Sequence, residues 1–181
     1  RHYGVSVERI DEALEAIHHP GVETVQIIFN MFRHRPADEF FPEARRREVG
    51  VLARVPLASG LLTGKLTRAS TFAPDDHRRF NRHGEEFDKG ETFSGVPFEV
   101  GLAAVDDLRR LAPSGEPLAQ LALRWILMFD AVTCAIPGAR TADQARANAA
   151  AANLPALDDR TMAAIESVYT RRIREHVNQH W

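Results

Sequence analysis

Thr133-Cys134-Ala135-Ile136-Pro137-Gly138-Ala139-Arg140-Thr141-Ala142-Asp143-Gln144, running on to Asn148, is the stretch whose reading decides the fold. The apolar run at 131–136 reads as a buried strand. It breaks at Pro137-Gly138, and a helix opens at Thr141 with Asp143 and Gln144 in its first turn. A strand that empties through a glycine onto a helix start is where an α/β protein binds an anion. Free backbone N–H groups and the positive end of the helix dipole converge there. Arg140 adds a full charge, so a phosphate is the expected ligand.

Outward from this junction the chain alternates strand and helix. Apolar, β-branched runs at 24–29, 50–57 and 131–136 follow an opening strand around Tyr3-Gly4-Val5-Ser6. Residues 7–17 place Ile10, Ala13, Leu14 and Ile17 on one helical face, and His18-His19-Pro20-Gly21 stops that helix. Further helices are expected at 36–48, interrupted around Pro42, and at 98–111, 117–128, 141–152 and 158–168; Pro117 suits a first turn. Alternating strands and helices imply an α/β fold with a parallel sheet or barrel, its functional face at the carboxyl ends of the strands. Residues 58–97 interrupt this pattern. The segment is rich in charge, Gly and Phe, and it far exceeds the roughly 2–6 residues of an ordinary βα loop. A lid is the expected role.

At 181 residues, 44% hydrophobic and 27% charged, the chain suits one globular domain. A net charge of -2 argues against broad binding to nucleic acid or membrane surfaces. Cys134 is the single cysteine, which excludes an intramolecular disulfide and a cysteine-rich zinc site. With no membrane-length apolar run and no secretory leader visible, a cytoplasmic location is expected. The chain opens at Arg1 inside a strand already under way, so it reads as a fragment whose upstream part lies outside the sequence.

A second site candidate follows the strand at 50–55: Pro56-Leu57-Ala58-Ser59-Gly60-Leu61-Leu62-Thr63-Gly64-Lys65. Two glycines, a hydroxyl and a lysine can bring backbone N–H groups to a pyrophosphate and neutralise it. The spacing is not that of a P-loop, and a plain βα turn is the alternative reading. Together with 136–148, with Tyr3-Gly4-Val5-Ser6 and with Val25-Gln26-Ile27-Ile28-Phe29-Asn30, this loop closely resembles the aldo-keto reductases. The bacterial and potassium-channel β-subunit-like branches are the nearer ones. The resemblance runs from Gly4 to about Leu157.

That resemblance implies NADP(H)-dependent reduction of aldehydes or ketones on an eight-stranded (β/α) TIM barrel. This chain would supply its C-terminal half, strands five to eight with their helices, as a single partial domain over 1–181. It implies that Ser6 and Gln26 hold the nicotinamide carboxamide, with Asn30 a weaker candidate at the same strand exit. Arg54 stands where many members stack an aromatic ring on the nicotinamide; a guanidinium plane can also stack, and a surface salt bridge is the alternative. Ser59, Gly60, Leu61 and Lys65 would line the pyrophosphate. Gly138 and Arg140 would meet the 2′-phosphate, and Gln144 and Asn148, four apart on one helix, would face the adenosine. Ala147 stands where the family often has an acid, which weakens the adenine contact and the preference for NADP over NAD. No metal is implied.

Other residues are better explained without a site. Asp76-His77-Arg78-Arg79-Phe80-Asn81-Arg82-His83 mixes bases with a Phe, but in an acidic chain it reads as a charged lid rather than a nucleic-acid stripe, with Arg78 or Arg79 within reach of the adenosine phosphate. His18 and His19 lie in a helix-ending turn, and Arg45-Arg46-Arg47 reads as a solvated face. Cys134 and Trp125 read as core, the latter spaced with Leu121 and Met128.

Carbonyl reduction also needs a proton donor, which the resembled family takes from a tyrosine tuned by a lysine and an aspartate, beside a histidine. Here the only tyrosines are Tyr3 and Tyr169, and neither stands at that position. No catalytic residue is therefore assigned, and the polypeptide alone is expected to be inactive. An isolated half would leave sheet edges that the missing half or self-association must cover. Three readings compete: the cofactor-binding half of a reductase acting on small-molecule carbonyls, a non-catalytic NADP-binding sensor or auxiliary subunit, and an inert half barrel. Trp181, in the polar tail 171–181, is expected to pack at a pocket or a subunit contact.

Overall fold

The computed structural model describes residues 1–113 and 115–181. In chain order the elements are β1 (Tyr3–Ser6), α1 (Ile10–Ala16), β2 (Val22–Ile28), α2 (Arg35–Glu39), α3 (Phe41–Arg46) and β3 (Gly50–Arg54). A long segment follows, with 3₁₀ turns at Ala58–Thr63, Lys89–Glu91 and Phe93–Gly95 and the single turn α4 (His77–Phe80). The chain then forms α5 (Phe98–Arg109), α6 (Leu118–Ile126), β4 (Val132–Ala135), α7 (Ala142–Ala150), α8 (Asp159–Arg172) and α9 (Arg174–Val177).

The four strands make one sheet in the order β1-β2-β3-β4, parallel throughout. The α/β class and the alternation read from sequence are therefore present. Local chemistry sets the ends of each element. The Glu12 carboxylate accepts the amides of Glu8 and Arg9 at 3.0 Å each and caps α1. Pro36 and Pro42 each sit in a first helical turn, so the expected interrupted helix at 36–48 is two short ones. Pro117 caps α6 from outside its first turn. Strand β3 stops at Arg54 because Val55 turns to φ 52°.

Alternate strand residues Val25, Ile27, Val51 and Ala53 are buried under the helices. Phe29, fully buried just past β2, stacks on Trp125 at 5.0 Å and meets Phe41 and Phe129 edge-on at 4.7 and 4.9 Å. His34 lies flat between Tyr169 and Trp125, at 3.9 and 4.5 Å, and tethers the β2 exit to α8 through Glu166 at 2.6 Å. Burial pushes the His34 pKa down, while its hydrogen bond holds Glu166 below the usual carboxylate range.

Among the described residues, no layer of helices covers the other sheet face. A Cβ added to Gly4 would meet the Thr24 hydroxyl, and one on Gly50 would meet Thr133 and Thr24, which places these four on that face. Register adds Ser6, Gln26, Leu52 and Cys134. The expectation of a buried strand at 131–136 needs correcting here. Thr133 and Cys134 are exposed, because β4 is an edge strand whose second face meets nothing. Cys134 is a surface thiol, not a core residue. Helix α7 likewise buries none of its residues. No helix of the described residues is long and apolar enough to cross a membrane.

Candidate functional site

The carboxyl ends of the strands gather the chemistry. Ser6 and Gln26 are direct register partners on β1 and β2, the first exposed and the second half-buried. Asn30 is not open to a ligand. Its amide donates to Val55 O at 2.9 Å and to Ser94 Oγ at 2.8 Å, and its Oδ1 accepts the Phe32 amide at 2.8 Å. It ties the β2 exit to the long segment.

Arg54 ends β3 as a buried ion pair, neither a surface salt bridge nor a free stacking plane. Its Nη2 donates to Val7 O at 3.0 Å and to Glu8 Oε1 at 2.6 Å, and its Nη1 donates to the Glu91 carboxylate. The Glu8 pKa is pushed up to about 7, first by burial and next by a hydrogen bond with Glu91, against the pull of Arg54. Glu91 comes from the long segment, so Arg54 joins the ends of β1 and β3 to it.

The same segment is braced within itself by Ser59 and Arg78 and fastened to the C-terminal tail by Trp181. Ser59 Oγ donates to Glu91 O at 2.9 Å and accepts the Phe93 amide at 3.0 Å. Trp181 Nε1 donates to Asp88 Oδ1 at 2.9 Å. Arg78 is held by Asp76 at 2.6 Å and reaches Ser59 O at 3.4 Å; that pairing holds Asp76 down to about 2. Residues 58–97 are thus a folded cover on the strand ends. Phe72 and Phe93 of this cover pack with Phe98 of α5, the Arg82 guanidinium over their rings. Val55, Ala58, Ser59, Phe93 and Ser94 all take positive φ where the cover meets the strands; each costs about 1–2 kcal/mol in a residue with a Cβ.

Within the 56–65 loop, Gly60 takes φ 99° and Gly64 φ 71°, while Leu61 is fully buried against α5 and presents no open surface. Lys65 is exposed. At the opening junction, Thr141 caps α7 through the Gln144 amide at 3.2 Å. Gln144 Oε1 accepts the Arg140 amide at 2.7 Å, and Asn148 Nδ2 donates to Gly138 O at 3.1 Å. These two side chains brace the turn. Gly138 has open space where a Cβ would stand, and Arg140 is exposed. The structure therefore gathers Ser6, Gln26 and Arg54 into one cluster and Gly138, Arg140, Gln144 and Asn148 into another.

Two participants escaped the sequence reading. Glu8 stands two residues after Ser6, and Glu91 lies in a charged loop with no local pattern. A third, Arg33, is almost fully buried beside Trp181, whose ring lies 3.9 Å from its guanidinium carbon. Its Nη1 and Nη2 make no hydrogen bond among the described residues, and burial lowers its pKa to about 9 against the pull of Asp88 and Glu8. A cavity lined by Glu8, His77, Phe87, Asp88 and Glu91, about 480 Å³, opens beside the cluster.

The model of the Aldo/keto reductase family matches residues 1–170. The aldo-keto reductase YhdN of Bacillus subtilis is 33% identical over 146 residues, covering 78% of this chain and 40% of its own length. A probable voltage-gated potassium channel subunit beta of Arabidopsis thaliana is 32% identical over 143 residues, covering 77% and 42%. Among solved structures, the glycerol dehydrogenase AKR11B4 of Gluconobacter oxydans superposes with a TM-score of 0.73 at 29% identity, over 96% of this chain and 50% of that one. The chain spans about half the length of these relatives.

Proposed function

The chain belongs to the aldo/keto reductase family, and on that premise we propose that it is the NADP(H)-binding half of a carbonyl reductase. It would be the C-terminal half of a (β/α)8 barrel, over residues 1–181. The observation that carries this reading is the pair of clusters at the strand ends. Ser6 and Gln26, side by side in register, offer a hydroxyl and an amide that complement a carboxamide. The open turn at Gly138, with Arg140 beside it at the start of α7, suits a phosphate. Lys65 and the glycines of the 56–65 loop would form the pyrophosphate path, and NADP is favoured over NAD because Arg140 adds a charge for the 2′-phosphate. When bound, NADPH supplies the hydride. This chain's own residues bind and orient it and cover its ring end with residues 58–97.

The proton donor and its partners would belong to the other half of the barrel, which would also cover the open sheet face. A cytoplasmic setting and an aldehyde or ketone substrate go with this reading. Fluorescence titration with NADPH tests it: saturable binding, weaker for NADH, is expected, and no binding by folded chain refutes it. A second reading, a non-catalytic NADP-binding auxiliary subunit, draws support from the likeness to the plant protein named as a channel β-subunit.

A further inference from the structure

We propose that Glu8, Arg54 and Glu91 form a proton-controlled latch that holds residues 58–97 over the strand ends and releases them as Glu8 ionises. The inference deepens the cofactor-site reading, because what the latch covers is the place assigned to the nicotinamide end.

The geometry is that of a bridge with a single cation and two acids. Arg54 is anchored in β3 and by its bond to Val7 O, so it does not travel with the cover. Glu8 belongs to the β1 exit and is fixed on its backbone side by Glu12. Glu91 is the part that belongs to the cover. A proton on Glu8 leaves the trio neutral, with each carboxyl on Arg54 and the second Glu8 oxygen buried without a partner among the described residues. With both acids ionised the trio carries a net negative charge, and Glu8 and Glu91 repel across a half-buried site.

Other charges around Glu8 do not cancel that repulsion. Arg33, from the turn after β2, faces it without a hydrogen bond and already shares its field with Asp88. Asp88 and His77 line the same cavity from the cover itself.

The sign follows from linkage. Glu8 has a raised pKa, about 7 against 4.5 for the free group, so its stabilisation of the closed form is full below the free value and gone above about pH 7. Between pH 6 and pH 8 the closing equilibrium should weaken by about tenfold, and by roughly threefold if solvent screens the half-exposed pair.

Amide hydrogen exchange read by mass spectrometry on the full chain, corrected for intrinsic pH dependence, tests this without cofactor. Peptides within 88–96 should lose about three- to tenfold in protection from pH 6 to pH 8, while β2 and β3 peptides keep theirs. Glu8→Gln, a neutral mimic of the protonated acid, should flatten the change, and Glu91→Gln should do the same. A wild-type profile that is flat with pH overturns the latch, as does a slope that survives both substitutions. Should either variant fail to fold, the wild-type series still decides. NADPH titration of the same samples is read separately: failure to bind sinks the cofactor reading and leaves the exchange result standing.

Discussion

Gly95→Ala is the substitution that most sharply tests how the cover is held. Gly95 sits at φ 80°, and a Cβ there would stand 2.4 and 2.7 Å from two ring carbons of Trp181. The left-handed backbone alone costs an alanine about 1–2 kcal/mol. The overlap is the larger effect, because the indole cannot remain in its slot. Leaving it breaks the bond from Nε1 to Asp88 and the stack on Arg33. A tryptophan ring buries about 200 Å², worth up to about 5 kcal/mol. Recovered rotamer freedom and a compact unfolded chain reduce that to about 2–4 kcal/mol.

Urea unfolding of wild type, Gly95→Ala, Trp181→Ala and the double variant forms a cycle. In the Trp181→Ala background the glycine change should cost only its backbone strain, so a coupling of about 2 kcal/mol or more is expected. Acrylamide quenching adds a direct view, since one of the two tryptophans should become accessible in Gly95→Ala while Trp125 stays protected. Coupling below about 0.5 kcal/mol, within the error of additive sites, refutes the slot.

Phe29→Ala should destabilise the fold by about 3–5 kcal/mol, as a full ring is lost from between Trp125, Phe41 and Phe129; urea midpoints at constant m measure it. Arg140→Ala should weaken NADPH binding by about ten- to hundredfold, the loss of a charge-assisted contact of roughly 1.5–3 kcal/mol, and leave NADH binding unchanged. Equal losses for both cofactors would remove Arg140 from the 2′-phosphate. The purified 181-residue chain should not oxidise NADPH with aldehydes above background; sustained turnover would mean that a proton donor lies within it.

The fold was legible where periodicity and punctuation agree. Pro20-Gly21, Pro36, Pro42 and Pro137-Gly138 each fall at an element boundary, since proline and glycine act locally whatever surrounds them. Burial was less legible. The apolar run ending in β4 looks the same whether its second face is covered or not, so Cys134 was misplaced. Within the site, the turn at 136–141 was legible because a helix start advertises itself within a few residues. The Glu8–Arg54–Glu91 trio was not, because its members lie 46 and 37 residues from Arg54 and meet only through the register of β1 and β3 and the path of the cover. Arg54 stood out in the sequence, but its two acids were needed to show that it is already paired.

The open sheet face bears on which covering of it the proposal should prefer. Its residues include Gly4, Ser6, Thr24, Gln26, Ile28, Gly50, Leu52, Arg54, Thr133 and Cys134; Ile28 is already buried, and Leu52 is the one bulky apolar side chain of this set left partly uncovered. A barrel interior is filled by layers of large branched side chains. Two copies of this chain closing edge to edge would bring glycine and threonine to both sides of the interior and leave it underfilled, at a cost that grows with the void. A complementary half with large inward residues would fill the same space. The small face therefore argues for a partner unlike this chain over self-association. Sedimentation of the purified chain is the measurement that separates them, with a monomer expected and a stable dimer whose Cys134 is shielded from thiol reagents counting against it.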